Sequence, residues 1–164
     1  ALRHRVESGL GGRVGDEARM GPQRSVRADV DDGTATGGDH PLTGEGRVRI
    51  ESVQNATDHA RCVAARLTGD AKPYDGVPWF WSDQGPDKLQ MVGLTTGYDR
   101  VVVRGDRGAG AFSAFCYKAG QLVGIESVNR AGDHMFGRRL LAANGSITPE
   151  QAADAGFDLK SALT

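Results

Sequence analysis

Aromatic residues make up only 6% of this 164-residue sequence, and none precedes Tyr74. A segment without large apolar side chains cannot bury enough surface to offset its own ordering entropy. Residues Ala1 to Gly46 therefore read as a disordered segment: glycines are many, Arg and Asp are scattered, and Val6, Leu10 and Val14 are too thinly spread to build a face. The run GLGGRVG, Gly9 to Gly15, has the glycines of a phosphate-cradling loop but neither the β-rich strand before it nor the apolar helix after it that such a loop needs. No apolar run approaches the roughly 20 residues of a membrane span, and Ala1 to Leu10 holds no apolar signal-peptide region. Cysteine is nearly absent as well. Cys62 and Cys116 have no second sulfur or histidine at ligand spacing, which excludes an encoded zinc or iron–sulfur site and fits a reduced, cytoplasmic setting. The formal net charge of -1 argues against nucleic acid or an anionic membrane as a bulk electrostatic partner.

What is present is concentrated in the stretch Val77 to Leu94, VPWFWSDQGPDKLQMVGL, with three aromatics in succession at Trp79, Phe80 and Trp81. In a strand, side chains alternate, so Trp79 and Trp81 share one face and Phe80 takes the other. Ser82, Asp83 and Gln84, which favour caps and turns, are expected to break that strand. Upstream, Arg47 to Glu51 alternates as a short strand would, and Ser52 stands at a helix N-cap position. Val53, Ala56, Ala60, Val63, Ala64 and Leu67 then recur at steps of three and four, predicting an amphipathic helix from about Val53 to Leu67 closed by Gly69. Its first turn, Val53 to Asn55, carries free backbone donors and the positive end of the helix dipole.

Downstream, Lys88 to Leu94, Asp99 to Arg104, Ala111 to Tyr117 and Leu122 to Val128 read as strands, the last two joined through Lys118, Ala119 and Gly120. A helix is predicted from about Arg130 to Ala143, ended by Asn144 and Gly145, and a short one opens at Thr148 with Pro149 at N1 and Gln151 at N3. Consecutive strands with short connections, followed by helices, predict an α+β fold: an antiparallel sheet of about five strands with helices on one face, preceded by an amphipathic helix. Of the titratable residues, His4, His40, His59 and His134 lack a serine or cysteine and an acid at a recognisable spacing and read as surface or helix-face residues. Asp83 reads as a turn residue, and Cys116 as an inert strand cysteine.

The segments Arg47 to Ala56 (RVRIESVQNA), Pro78 to Gln84 (PWFWSDQ), Lys88 to Leu94, Gly97 to Gly105 (GYDRVVVRG) and Val128 to Leu141 (VNRAGDHMFGRRLL) together resemble the carboxy-terminal part of the FAD-dependent ferredoxin and rubredoxin reductases that serve bacterial oxygenases. The resemblance covers nearly all of Arg47 to Lys160. It implies electron flow from NAD(P)H through FAD to a [2Fe-2S] ferredoxin, with the flavin supplying the chemistry and the protein binding and orienting it. It implies three segments: an unrelated or disordered 1–46, the end of an FAD-binding domain over 47–76, and a reductase C-terminal domain over 77–164. The family's two dinucleotide-binding domains find no counterpart in residues 1–46, so the resemblance implies a fragment, inactive by itself. By the same resemblance Ser52, Val53 and Gln54 match the helix start facing the flavin ring, and Trp81 matches a tryptophan near the flavin and the ferredoxin-facing surface. Asp39 in TGGD stands for a Gly-Asp that binds the FAD ribitol, although its distance to Glu51 is a few residues short. Gly85 and Pro86 replace a frequent tyrosine, and Ala131 and His134 replace a usual proline and phenylalanine. A reading from another class is a cofactor-free protein-interaction or structural module.

Overall fold

A computed structural model describes residues 50–70 and 74–163. Asp39 and the segment 1–46 lie outside the described residues. Helix α1, Val53–Leu67, precedes five strands, β1 Trp79–Gln84, β2 Asp87–Gly93, β3 Arg100–Asp106, β4 Ala111–Lys118 and β5 Gln121–Val128. Helices α2, Ala131–Ala142, and α3, Pro149–Ala153, follow, and a 3-10 turn, Leu159–Leu163, closes the described chain. All strand pairs are antiparallel in the order β1-β2-β5-β4-β3. The α+β architecture expected from the order of elements is the one observed.

Local chemistry sets the corners. Between β1 and β2, Gly85 takes a positive φ of 62° and Pro86 follows with its fixed negative φ, the pattern of a type II′ hairpin turn. Between β4 and β5, Ala119 and Gly120 both have positive φ, a type I′ turn in which Ala119 stands where asparagine is usual. Helix α2 ends in a Schellman arrangement, with Gly145 N–H donating to Leu140 O at 2.8 Å and Asn144 N–H to Leu141 O at 3.0 Å. The capping box predicted at Thr148 is present in both directions with Gln151.

The register aligns side chains in rows across the sheet. Trp79, Val92, Ile125, Phe115 and Val102 form one row on the helix-covered face, and with Phe136, Leu140 and Leu141 of α2 they make the core. Helix α2 comes this close because residue 137 is glycine: a Cβ there would lie 2.8 Å from Ile125 Cδ1 and 2.9 Å from Val92 Cγ1. The neighbouring row, Trp81, Gln90, Ser127, Ser113 and Arg104, is polar. Buried Ser113 donates to or accepts from Ser127 at 3.0 Å and donates to Asp133 Oδ2 at 2.8 Å, while Arg130 Nε donates to the same carboxylate at 2.6 Å. That network pins the first turn of α2 to the sheet.

Asn129 joins three elements with one side chain. Its Oδ1 accepts from Lys88 N–H, and its Nδ2 donates to Asp87 Oδ1 and to Gly110 O, each at 2.9 Å. Its φ of 54° is a conformation asparagine tolerates better than most residues. We expect Asn129→Ala to cost about 2 kcal/mol, from lost hydrogen bonds and from backbone strain. Asn129→Gly, which relieves the strain, should recover part of it. Urea denaturation midpoints check both.

Two expectations are corrected here. Ser82, Asp83 and Gln84 do not break β1; pairing with β2 continues to Gln84 opposite Asp87, because cross-strand bonds satisfy the backbone and Asp83 meets Lys88 at 3.8 Å. The break comes one residue later, at Gly85. Of the strand expected over Arg47 to Glu51, residues 47–49 lie outside the described residues, and Ile50 and Glu51 belong to no strand.

Candidate functional site

Helix α1 has the predicted bounds but turns its faces the other way. Val53 is 69% and Leu67 82% exposed, whereas Gln54 and Asn55 are buried. The polar side goes inward because it has partners there. Asn55 Nδ2 donates to Ile50 O at 2.8 Å, and its Oδ1 accepts from the Tyr74 hydroxyl at 2.9 Å. Gln54 Nε2 donates to Asp58, and Gln54 Oε1 accepts from the backbone N–H of Trp79 at 3.3 Å. His59 meets the Tyr74 ring edge-on at 4.3 Å, and burial pushes the Tyr74 phenol up. Ser52 caps the helix through its hydroxyl, which accepts from Asn55 N–H at 3.1 Å. The N–H groups of Val53 and Gln54 are left without intrahelical acceptors.

Gln54 thus carries the N-terminal end of α1 to the start of β1, where the two tryptophans stand. Trp79 and Trp81 share a face, as alternation requires, and stack at 5.7 Å between ring centroids. The Arg138 guanidinium of α2 lies 4.0 Å from the Trp79 ring centroid, a cation–π distance. His134, one helical turn earlier, meets the Trp79 ring at 5.9 Å. Trp79 and Arg138 separate two clefts. One, of about 190 Å³, is lined by Gln54, Asp58 and Val77; the other, of about 300 Å³, by Trp81, Lys88, Gln90, His134 and Met135. Trp81, 42% exposed, forms the outer wall of the second.

Of the residues singled out from sequence, Gln54 and Trp81 come together at this double cleft, bridged by Trp79. Ser52 and Val53 stand beside Gln54 at the N-terminal end of α1 but line neither cleft. His134 corrects the surface reading: it is 1% exposed, and its Nδ1 has no hydrogen-bond partner among the described residues. Burial, and secondarily Arg138, lower its pKa from 6.5 to about 4. Lys88, Gln90 and Arg138 were not foreseen. For Arg138 the one signal was its i, i+4 spacing from His134 on a helix face.

The sign of the His134 effect on stability follows from that lowered value. The folded state holds the neutral ring while the unfolded chain takes up a proton below about 6.5, so this stability is fully present above 6.5 and is lost as pH falls toward about 4. We expect the acid limb of the unfolding curve to begin below 6.5 and to flatten in His134→Phe. Thermal melts across that range measure it. On the opposite side of the sheet, burial pushes the Glu126 carboxyl up and a hydrogen bond from Thr95 partly offsets it. Buried Cys116 is raised to about 12, which fits the inert thiol expected from its strand position.

Among the described residues, no helix is long and apolar enough to cross a membrane. Comparison with known proteins finds similarity over almost all of the chain. Rhodocoxin reductase of Rhodococcus erythropolis is 51% identical over 159 residues, covering 96% of this chain and 35% of that protein. That span is too long to fit within residues 47–164 and reaches into the glycine-rich opening. Putidaredoxin reductase of Pseudomonas putida is 38% identical over 69% of this chain and 27% of its own. Among solved structures, the ferredoxin reductase for the CYP199A2 system from Rhodopseudomonas palustris superposes with a TM-score of 0.73 at 70% identity, covering 76% of this chain and 31% of that one. The covalent putidaredoxin reductase–putidaredoxin complex gives a TM-score of 0.70 at 36% identity, over 76% of this chain and 30% of that one. The chain therefore spans about a third of the length of these relatives. The family described as Reductase C-terminal matches residues 79–163, which hold the whole five-stranded sheet, α2 and α3. The chain belongs to the reductase C-terminal family of ferredoxin reductases.

Proposed function

We propose that this chain is the C-terminal part of an FAD-dependent NAD(P)H:ferredoxin oxidoreductase, forming one wall of the flavin site and the surface on which a [2Fe-2S] ferredoxin docks. In this reading 47–76 closes an FAD-binding domain and 77–164 is the C-terminal domain. The observation that carries it is the junction of α1 with β1: Gln54, in the open first turn of α1, holds the backbone of Trp79, and Trp79 stacks on the exposed Trp81. A helix start whose first N–H groups have no intrahelical acceptor therefore lies beside an aromatic margin.

The residues present fit part of a flavin site. FAD, when bound, supplies the conversion of two-electron transfer from NAD(P)H into single-electron transfer. The N–H groups of Val53 and Gln54, with the positive end of the α1 dipole, favour the ring edge where negative charge gathers. Ser52 keeps that turn formed by capping it. Trp81 presents a flat apolar surface to the partner, and Lys88 and Arg138 add positive charge beside it. The exposed apolar stripe of α1, with Val53, Val63 and Leu67, fits a helix covered by a further domain.

Adenine, pyrophosphate and nicotinamide contacts would come from domains outside these residues. Affinity accumulates over the whole ligand, about tenfold for each 1.4 kcal/mol, so the 164-residue chain is expected to bind FAD weakly or not at all and to oxidise no NAD(P)H. The reductase with its preceding domains should hold flavin and reduce a ferredoxin. Gel filtration with flavin absorbance tests the first expectation, and NADH-dependent ferredoxin reduction tests the second. Stoichiometric flavin retained by the 164-residue chain would contradict the division of the site. A flavin-free full-length protein would favour the interaction-module reading.

A further inference from the structure

We propose that His134 is a positioning residue, whose neutral imidazole, wedged against the edge of Trp79, holds the stacked Trp79–Trp81 pair in the arrangement that faces the electron partner. This rests on the docking role given to Trp81 above, and it adds a proton-dependent control of that surface.

The geometry is a chain of contacts from the interior outward. His134 is 1% exposed on α2, beneath the second cleft. Its ring meets Trp79 at 5.9 Å and 63°, an edge-on contact, and Trp79 stacks on Trp81 at 5.7 Å and 29°. Trp79 is held at its backbone N–H by Gln54 of α1 and at its ring by Arg138 of α2. Trp81 is 42% exposed at the end of this chain of contacts, and the indole of Trp79 is the ring it stacks on. A small displacement at His134 reaches the exposed ring through two aromatic contacts and no flexible linker.

The charges around His134 make the neutral form a condition of this packing. On its own helix, Arg138 is a cation one turn away, and Asp133 is already engaged by Arg130 and Ser113. β2 brings Lys88, another cation, and β1 brings the two indoles, with Asp83 at its exposed end paired to Lys88. β5 offers neutral Ser127 on this face and turns Glu126 to the other. The 3-10 turn packed on α2 carries Lys160, which is exposed and lines neither cleft. Asp58 of α1 lines the adjoining cleft, beyond Trp79. A proton added to His134 therefore enters a buried slot among cations, with no acceptor at Nδ1 among the described residues. An imidazolium there is relieved by moving toward solvent, and the slot it leaves is the support of Trp79.

The chain contains only two tryptophans, so indole signals report this pair alone. Stacked indoles couple their far-ultraviolet transitions into a paired circular-dichroism band. Its amplitude in the purified chain should fall at least twofold as pH is lowered from above 6.5 to about 4, and should stay level in His134→Phe over the same range. If the variant and the parent lose the band together, the proposal is wrong. Should His134→Phe not fold, nitrogen-15 spectra of the parent chain, labelled at His and Trp, replace it. Indole resonances that shift with the same midpoint as the His134 ring support the role, and indole shifts with an unrelated midpoint, or none, overturn it. In the complete reductase, His134→Phe should remove the acid-side rise in KM for ferredoxin while leaving flavin reduction unchanged. Because the spectra need neither flavin nor partner, a reductase that reduces no ferredoxin would defeat the proposed function alone.

Discussion

Trp81→Ala, introduced into the complete reductase, is expected to weaken ferredoxin-dependent turnover by about 2 kcal/mol, roughly thirtyfold, while flavin reduction by NAD(P)H and thermal stability change little. Aromatic side chains that anchor an interface typically account for this much when truncated. A core tryptophan would behave differently, with a stability loss of about 3 to 5 kcal/mol on removal. The exposure of Trp81 decides between these: 42% of its surface is open, and its ring stacks on the indole of Trp79. Stopped-flow flavin reduction, ferredoxin turnover and melting temperature, measured on the same variant, separate the cases. A large drop in melting temperature with both half-reactions failing would place Trp81 in the core and remove its docking role.

Arg104→Met is expected to be the most destabilising of the substitutions considered, at about 3 to 5 kcal/mol. Arg104 lies within β3 and is 8% exposed, yet among the described residues no carboxylate is one of its hydrogen-bond partners. Its guanidinium instead donates to four backbone carbonyls of the C-terminal segment: Ala152 at 3.4 Å, Asp154, Ala155 at 3.2 Å and Phe157 at 2.9 Å. These carbonyls lie in the last turn of α3 and in the irregular segment between it and the 3-10 turn, where no regular ladder satisfies them. Removing the fork strands several of them, each at about 1 to 3 kcal/mol, offset in part by water entering a loosened segment. Arg104→Lys should recover little, because a single ammonium cannot span four acceptors fixed by a planar fork. Urea unfolding gives the magnitude. Proteolysis gives the location: cleavage between Ala152 and Leu159 should appear in the variant before the sheet unfolds.

Much of the local structure is legible along the chain because it depends on residues a few positions apart. The step of three and four from Val53 to Leu67 gave α1 its bounds, Thr148, Pro149 and Gln151 specify a capping box, and alternation puts Trp79 and Trp81 on one face. Even so, the polar triplet Ser82 to Gln84 misleads, since turn preference is outweighed once a neighbouring strand offers hydrogen bonds through Gln84.

What the tertiary structure alone decides is which elements are neighbours, and burial and charge follow from that. Periodicity marks an apolar stripe on α1 but not which way it points; partners at Tyr74 and Trp79, about twenty or more residues on, draw the polar side inward. His134 reads as an ordinary helix histidine until α2 lies over β5 and β2, with its side chains against Trp79 of β1, and shuts it from water. Arg104, the last residue of the strand expected over Asp99 to Arg104, is buried only when the segment some fifty residues later folds its carbonyls around it. The clefts share this origin, since α1, β1, β2 and α2 each supply part of the wall and no short stretch holds the set. Hydrogen bonding within a turn and side-chain period are short-range properties that a sequence states directly. Desolvation and cation placement depend on contacts closed over long loops, and only the folded sheet with α2 across it determines those.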